Sequence, residues 1–211
     1  MMFIKLHGSS QKYKLTYILI ALNIALYIYC AIASGNAFEI DNSVAAVLGQ
    51  YNRAILEIGF PFYYQLFTSM FIHASIIHLA GNLMVLLIFG LRAEEIFSLP
   101  ECLAIYLLGG LTGNLLSLTF GPEYLSVGAS GAIFALFGAC IIYNRKAMQQ
   151  SIMGALVFAF FLLIINTGPQ VNNLAHFGGL AFGLIIGYIL ALKHKHKIEN
   201  QYTTNYSYQQ I

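Results

Sequence analysis

The chain has 211 residues, of which 59% are hydrophobic and 9% charged, against about 25% charged in a soluble domain. The apolar residues come in long runs, which excludes a soluble globular domain and indicates an all-α, polytopic membrane protein set in a lipid bilayer. The formal net charge of +2 and the lack of a basic, aromatic-interleaved patch exclude a nucleic-acid partner. No Walker loop or dinucleotide fingerprint occurs, so no cofactor is expected.

Taken in order, residues 1–14 form a short N-terminal segment carrying Lys5, Lys12 and Lys14. A first span follows at 15–34. Ala31-Ile32-Ala33 resembles a signal-peptidase site, but the apolar run is longer than a signal core, and it reads as a retained helix. The stretch 36–72 is long for a loop and half apolar (Ile55, Leu56, Ile58, Phe60, Phe62, Tyr63, Tyr64). Such a segment suits the membrane interface better than water. Further spans are expected at 74–91, 100–119, 129–144, 150–167 and 173–192, which makes a six-transmembrane-helix bundle over residues 15–192. Residues 193–211 are a polar tail, expected to be disordered after Lys197. Cys30, Cys102 and Cys140 lie in or beside apolar runs, an odd number that suits neither a disulfide framework nor a metal cluster.

Orientation follows the cations. Lys5, Lys12, Lys14, Arg92, Arg145, Lys146, Lys193, Lys195 and Lys197 all fall on one side of a six-span chain, and only Arg53 falls on the other. Both termini are therefore expected in the cytosol, with 36–72 facing outward. The same cations act as rulers. Counting about 1.5 Å per residue, Ser130 stands roughly 22 Å above Arg145, His176 roughly 26 Å above Lys193, and His78 roughly 21 Å above Arg92. Three polar residues from three spans thus meet at one depth in a layer about 30 Å thick.

Ser130 lies in Gly128-Ala129-Ser130-Gly131 at the head of a span. A lone membrane serine usually serves close helix packing or bonds back to its own helix. Here Gly128 and Gly131 leave room for a substrate backbone, and a helix N-terminus points free N–H groups at a developing oxyanion. His176 is an ionisable residue inside the layer, where a bundle-facing functional role is the default and a histidine bonded to a backbone carbonyl is the alternative. His176, Gly179, Gly183 and Gly187 recur at i, i+3, i+7 and i+11 on one helix face. Gly131, Ala132, Ala135, Gly138 and Ala139 offer a matching small-residue face, and packing the two would bring imidazole to hydroxyl. With an ordinary pKa near neutrality, a histidine suits the role of general base for that hydroxyl. No acid shares this depth, so the unit would be a dyad.

His78 and Asn82, at i and i+4, read equally as a hydrogen-bonded helix clamp or as donors to an oxyanion. His73 lies higher and reads as structural. A metal site from His73, His78 and His176 lacks a carboxylate and an i, i+4 histidine pair, so no metal is expected.

Three stretches, His73–Asn82 (HASIIHLAGN), Gly128–Phe134 (GASGAIF) and Ala175–Gly183 (AHFGGLAFG), together resemble the rhomboid family of intramembrane serine proteases. The resemblance covers roughly residues 15–192. It implies Ser130 as nucleophile, His176 as base, and His78, Asn82 and the Ser130 N–H as the oxyanion hole. It further implies a structural glutamate at the inner end of the second span, here Glu94, a membrane-embedded outer loop, and transmembrane proteins as substrates. Family members often carry Trp-Arg in that loop where this chain has Tyr64-Gln65. Phe134 stands where some have a tyrosine stacked on the base. The minimal six-helix form is common in bacteria, which suggests a bacterial inner membrane. A catalytically inactive, client-binding relative and a histidine-based transporter or proton channel are the alternatives. Intact Ser130 and His176 weigh against the first, and the lack of an internal repeat weighs against the second.

Overall fold

The computed structural model describes residues 13–147, 153–154, 157 and 171–208, with side chains no further than His194. The first long helix, α1 (Lys14–Ser34), ends because Gly35 takes a left-handed φ of 65°. The N–H groups of Gly35 and Asn36 then close on the carbonyls of Ile32 and Ala31, each at 3.2 Å. The outer loop holds α2 (Asn42–Leu48), the two-residue strand β1 (Gln50–Tyr51) and α3 (Gln65–Thr68). Asp41 caps α2 by accepting from the Ser43 N–H at 2.7 Å, and the Ser43 bonds hold this exposed carboxyl below its usual pKa. Leu56, Ile58, Phe60, Tyr63 and Phe67 turn outward, Phe60 with 83% of its surface exposed. Together they make an exposed apolar surface of the kind that suits a membrane interface.

Helix α4 (Ile76–Ile96) starts at Ser75, whose hydroxyl accepts from the His78 N–H at 3.1 Å. Helix α5 (Leu99–Ser117) starts where Glu101 reaches back to the Ser98 N–H (2.9 Å) and hydroxyl (2.8 Å). Strand β2 (Leu125–Ser126) pairs antiparallel with β1, Gln50 opposite Ser126, and so ties the outer loop to the approach of α6 (Ser130–Ala147). Helix α7 runs from Asn173 to Tyr208.

Among the described residues, four segments, Lys14–Ser34, Ile76–Ile96, Leu99–Phe120 and Asn173–His194, are long and apolar enough to cross a membrane. Helix α6 is the central one, packed against α4, α5 and α7, with residues 131–140 all buried. The expected span at 150–167 lies outside the described residues. Two boundaries differ from expectation. Helix α4 continues through Arg92, Glu94 and Glu95 to Ile96, because a helix need not stop where hydrocarbon does. Helix α7 continues to Tyr208, not into a disordered tail, since no Gly or Pro follows Gly187 to break it. Beyond its apolar stretch α7 is held by His194, whose Nδ1 is 3.0 Å from the Tyr143 hydroxyl and whose Nε2 is 3.2 Å from Glu101 Oε1.

Small residues set the α6–α7 spacing. A Cβ at Gly179 would overlap the Gly131 carbonyl, one at Gly183 the Ala135 carbonyl, and one at Gly187 would come within 2.5 Å of the Ala139 carbonyl oxygen. Each step is four residues on both helices, so α6 and α7 run parallel in backbone contact. The start of α6 therefore lies beside the start of α7.

Candidate active site

Ser130 opens α6, and the residues before it explain how its side chain is presented. Gly128 has φ 129°, a conformation L side chains rarely adopt. Its N–H donates to the Ser69 carbonyl at 3.0 Å, and a Cβ there would sit 3.0 Å from both Cε1 and Nε2 of His78. Glycine thus lets the His78 ring lie against the peptide that leads into Ser130. His176, only 6% exposed, stands one turn into α7 and places Nε2 2.8 Å from Ser130 Oγ. Phe134 stacks on its ring, with centroids 4.6 Å apart and planes at 26°. With the serine hydroxyl donating, the ring carries its own proton on Nδ1. That atom is buried and has no hydrogen-bond partner among the described residues.

Ser130, His176, Phe134, Gly128, Gly131 and Gly179 therefore meet at the N-terminal ends of α6 and α7, with His78 beside them. Gly183 lies two turns further in. Asn82 is less engaged. Its Nδ2 donates to the His78 carbonyl at 2.9 Å, and it makes no hydrogen bond to Ser130 or His176 among the described residues. A second N–H on the same nitrogen remains for another acceptor. His73 is buried edge-on to His78, with ring centroids 5.1 Å apart. Glu94 is remote from this cluster. Helix α1 has no capping side chain of its own, and Glu94 accepts from Leu15 N–H (3.1 Å), Thr16 N–H (2.8 Å) and the Thr16 hydroxyl (2.5 Å).

Gln65, where Trp-Arg was the comparison, is buried. Its Oε1 accepts from Tyr51 N–H at 3.1 Å and its Nε2 donates to the Ala46 carbonyl at 2.9 Å, while the Tyr64 hydroxyl donates to Val47 at 2.9 Å. One amide thereby joins α2, β1 and α3.

Beneath the outer loop lies a set of buried polar residues that sequence patterns do not single out. Gln50 donates to Asn52 Oδ1 (2.8 Å) and the Asn114 carbonyl (2.9 Å). Asn52 donates to the Ser117 carbonyl (2.9 Å), and Asn114 to Leu66 O (2.8 Å) and Ser69 Oγ (2.9 Å). Most of these partners stand some 45 to 65 residues apart in the chain, beyond any local periodicity. Asn172, whose Nδ2 donates to Ser117 Oγ (2.6 Å) and Ser126 Oγ (2.5 Å), does carry a local sign, since an asparagine just ahead of an apolar run is a helix-cap signal.

Chemically, the arrangement pairs a hydroxyl with an imidazole at a helix N-terminus, where first-turn backbone N–H groups have no carbonyl partner within the helix. The Rhomboid domain family matches residues 62–193. RHOMBOID-like protein 6, mitochondrial, of Arabidopsis thaliana is 38% identical over 136 residues, 62% of this chain and 44% of that protein. Rhomboid protease GluP of Bacillus subtilis (strain 168) is 31% identical over 185 residues, 84% of this chain and 35% of its own length. Rhomboid-like protease 3 of Toxoplasma gondii is 29% identical over 189 residues, 85% of this chain and 70% of its own. The chain spans about half the length, or less, of the plant relatives it matches. These organisms do not single out a bacterial inner membrane, and what the likeness and the helices support is an integral membrane protein.

Proposed function

The chain belongs to the rhomboid family, and from that premise we propose that it is an intramembrane serine endopeptidase working through Ser130 and His176. The observation that carries this reading is the 2.8 Å contact between His176 Nε2 and Ser130 Oγ at the outer end of two helices in backbone contact. The substrate is the transmembrane segment of another membrane protein, which enters from the bilayer and unwinds next to Ser130. Helical peptide bonds are shielded, so small or helix-breaking residues near the cut favour reaction. The Ser130 proton moves to His176 Nε2 as Oγ attacks the scissile carbonyl. The resulting oxyanion takes hydrogen bonds from the Ser130 N–H, the His78 ring and the second N–H of Asn82. His176 passes the proton to the leaving amine, and an acyl-enzyme remains on Ser130. Water activated by His176 then releases the new C-terminus and regenerates the serine.

The protein is multi-pass, with both termini in the cytosol and the site opening outward, as the one-sided cations favour. Needing neither metal nor cofactor, this chemistry uses only the residues named. The test is covalent. A fluorophosphonate is expected to label the detergent-solubilised protein, Ser130→Ala to abolish labelling and cleavage of a single-span substrate, and His176→Ala to reduce both strongly. Equal labelling of Ser130→Ala removes Ser130 as nucleophile. Proton conduction in sealed liposomes that survives Ser130→Ala, with no cleavage by the native chain, selects the channel.

A further inference from the structure

We propose that Asn172 is a positioning residue that sets where His176 stands relative to Ser130. The inference rests on the Ser130–His176 reading above. His176 Nδ1 has no hydrogen-bond partner among the described residues, so no described side chain aims the imidazole by a hydrogen bond to that atom. Among these residues its placement comes from the stacked Phe134 and from wherever the start of α7 is fixed. Asn172 fixes that start. It precedes the first residue of α7, and its carbonyl accepts the His176 N–H at 3.1 Å. Its Oδ1 accepts the Ala175 N–H at 2.9 Å, as an N-cap does. Its Nδ2 donates in two directions, to Ser117 Oγ at 2.6 Å and to Ser126 Oγ at 2.5 Å.

Those two serines belong to the parts that frame Ser130. Ser117 is fully buried on α5, where its hydroxyl donates to the Gly113 carbonyl at 3.1 Å. Gly113 is one point at which α5 meets α7 closely, since a Cβ there would come within 2.5 Å of the Ala175 carbonyl oxygen. Ser126 is buried in β2, opposite Gln50, and stands four residues before Ser130. One amide therefore joins the helix of the base to the strand that delivers the nucleophile, while the Gly131–Gly179 contact holds the two helices just below. Asparagine is the side chain that fits all of these bonds. An acceptor is needed for the cap and two donors for the hydroxyls, on a stem long enough to reach both. Serine would cap almost as well, but its single, shorter hydroxyl cannot make both ties.

That difference separates positioning from folding. In full-length protein, Asn172→Ser keeps the cap and loses the ties. Its melting temperature should stay close to native, kcat on a single-span substrate should fall by about 10- to 100-fold, the range a misplacement near 1 Å produces, and KM should change less than twofold. Fluorophosphonate labelling of Ser130 should slow in parallel. Ser126→Ala, which removes one tie from the other side, should show a smaller loss of the same kind. Its combination with Asn172→Ser should cost less than the product of the two, because both break one bond. If Asn172→Ser does not fold, Ser126→Ala carries the test alone. Native kcat in these variants, or a loss that only follows melting temperature, overturns the proposal. Cleavage that persists in Ser130→Ala overturns the underlying reading instead. An inactive Ser130→Ala beside fully active Asn172→Ser and Ser126→Ala rejects the positioning role alone.

Discussion

Replacing Gly183 by alanine tests whether the backbone contact between α6 and α7 sets the Ser130–His176 distance. The added methyl would overlap the Ala135 carbonyl oxygen and lie 2.8 Å from the carbonyl carbon and Cα of that residue. Carbon atoms rest at about 3.5–4.0 Å, so α7 must retreat by roughly 0.7 Å at this point, and by more to clear the oxygen. Backbone blocks the way, and no rotamer change relieves it. Overpacking of this kind costs about 1–3 kcal/mol, while alanine gains about 1 kcal/mol over glycine in helix propensity. The two nearly offset, so the stability change should be a loss of about 0–2 kcal/mol. The kinetic change should be larger. Gly183 lies two turns below His176, and Ala135 five residues below Ser130, so the retreat reaches the pair almost undiminished. A bond of 2.8 Å lengthened by about 1 Å leaves hydrogen-bonding range, and such a displacement can cost about 100-fold in rate. The assay is kcat on a single-span substrate in detergent, with melting temperature measured on the same samples. Gly81→Ala is the control, because a Cβ at Gly81 meets nothing within 4 Å. Native kcat in Gly183→Ala, or an equal loss in Gly81→Ala, would refute the reasoning.

Two further outcomes separate chemistry from scaffold. If His78 and Asn82 hold the transition state, alanine at either should lower kcat by about 10²- to 10³-fold with little change in KM; activity that merely tracks thermal stability would assign both to helix clamping. Glu94→Ala should strand three donors at the start of α1, at a cost of about 1–3 kcal/mol. Its melting temperature should fall while kcat at low temperature is spared, and an unchanged melting temperature would deny Glu94 its structural part.

The sequence made the helix contact legible because its information is local. Gly179, Gly183 and Gly187 repeat at helical spacing, and Gly131, Ala135 and Ala139 do the same on α6, so each face could be read without knowing its partner. Counting residues inward from the basic ends placed Ser130, His176 and His78 at one depth for the same reason, since an unbroken helix converts residue number into distance. Helix ends were less legible. The apolar run marks where hydrocarbon stops, whereas α4 and α7 stop where capping and chain chemistry allow, at Ile96 and Tyr208. The polar set under the outer loop was not legible at all. Gln50, Asn52, Asn114, Ser117 and Ser126 acquire their purpose only from partners far along the chain, and alone each reads as an ordinary loop or helix residue.

That set also accounts for how an irregular loop keeps its peptide groups paired. An unpaired peptide group in an apolar setting costs several kcal/mol, and the loop between α1 and α4 holds short helices and a two-residue strand with little ladder of their own. Its carbonyls are met by side chains instead. Gln65 reaches Ala46, the Thr68 hydroxyl reaches Leu48 at 2.5 Å, and Asn114 reaches up from α5 to Leu66. The same asparagine bonds Ser69, whose carbonyl accepts the Gly128 N–H. The bonds that satisfy the loop's polar groups thus end on Gly128, two residues before Ser130. A loop substitution such as Gln65→Ala should for this reason disturb the presentation of Ser130 without touching it.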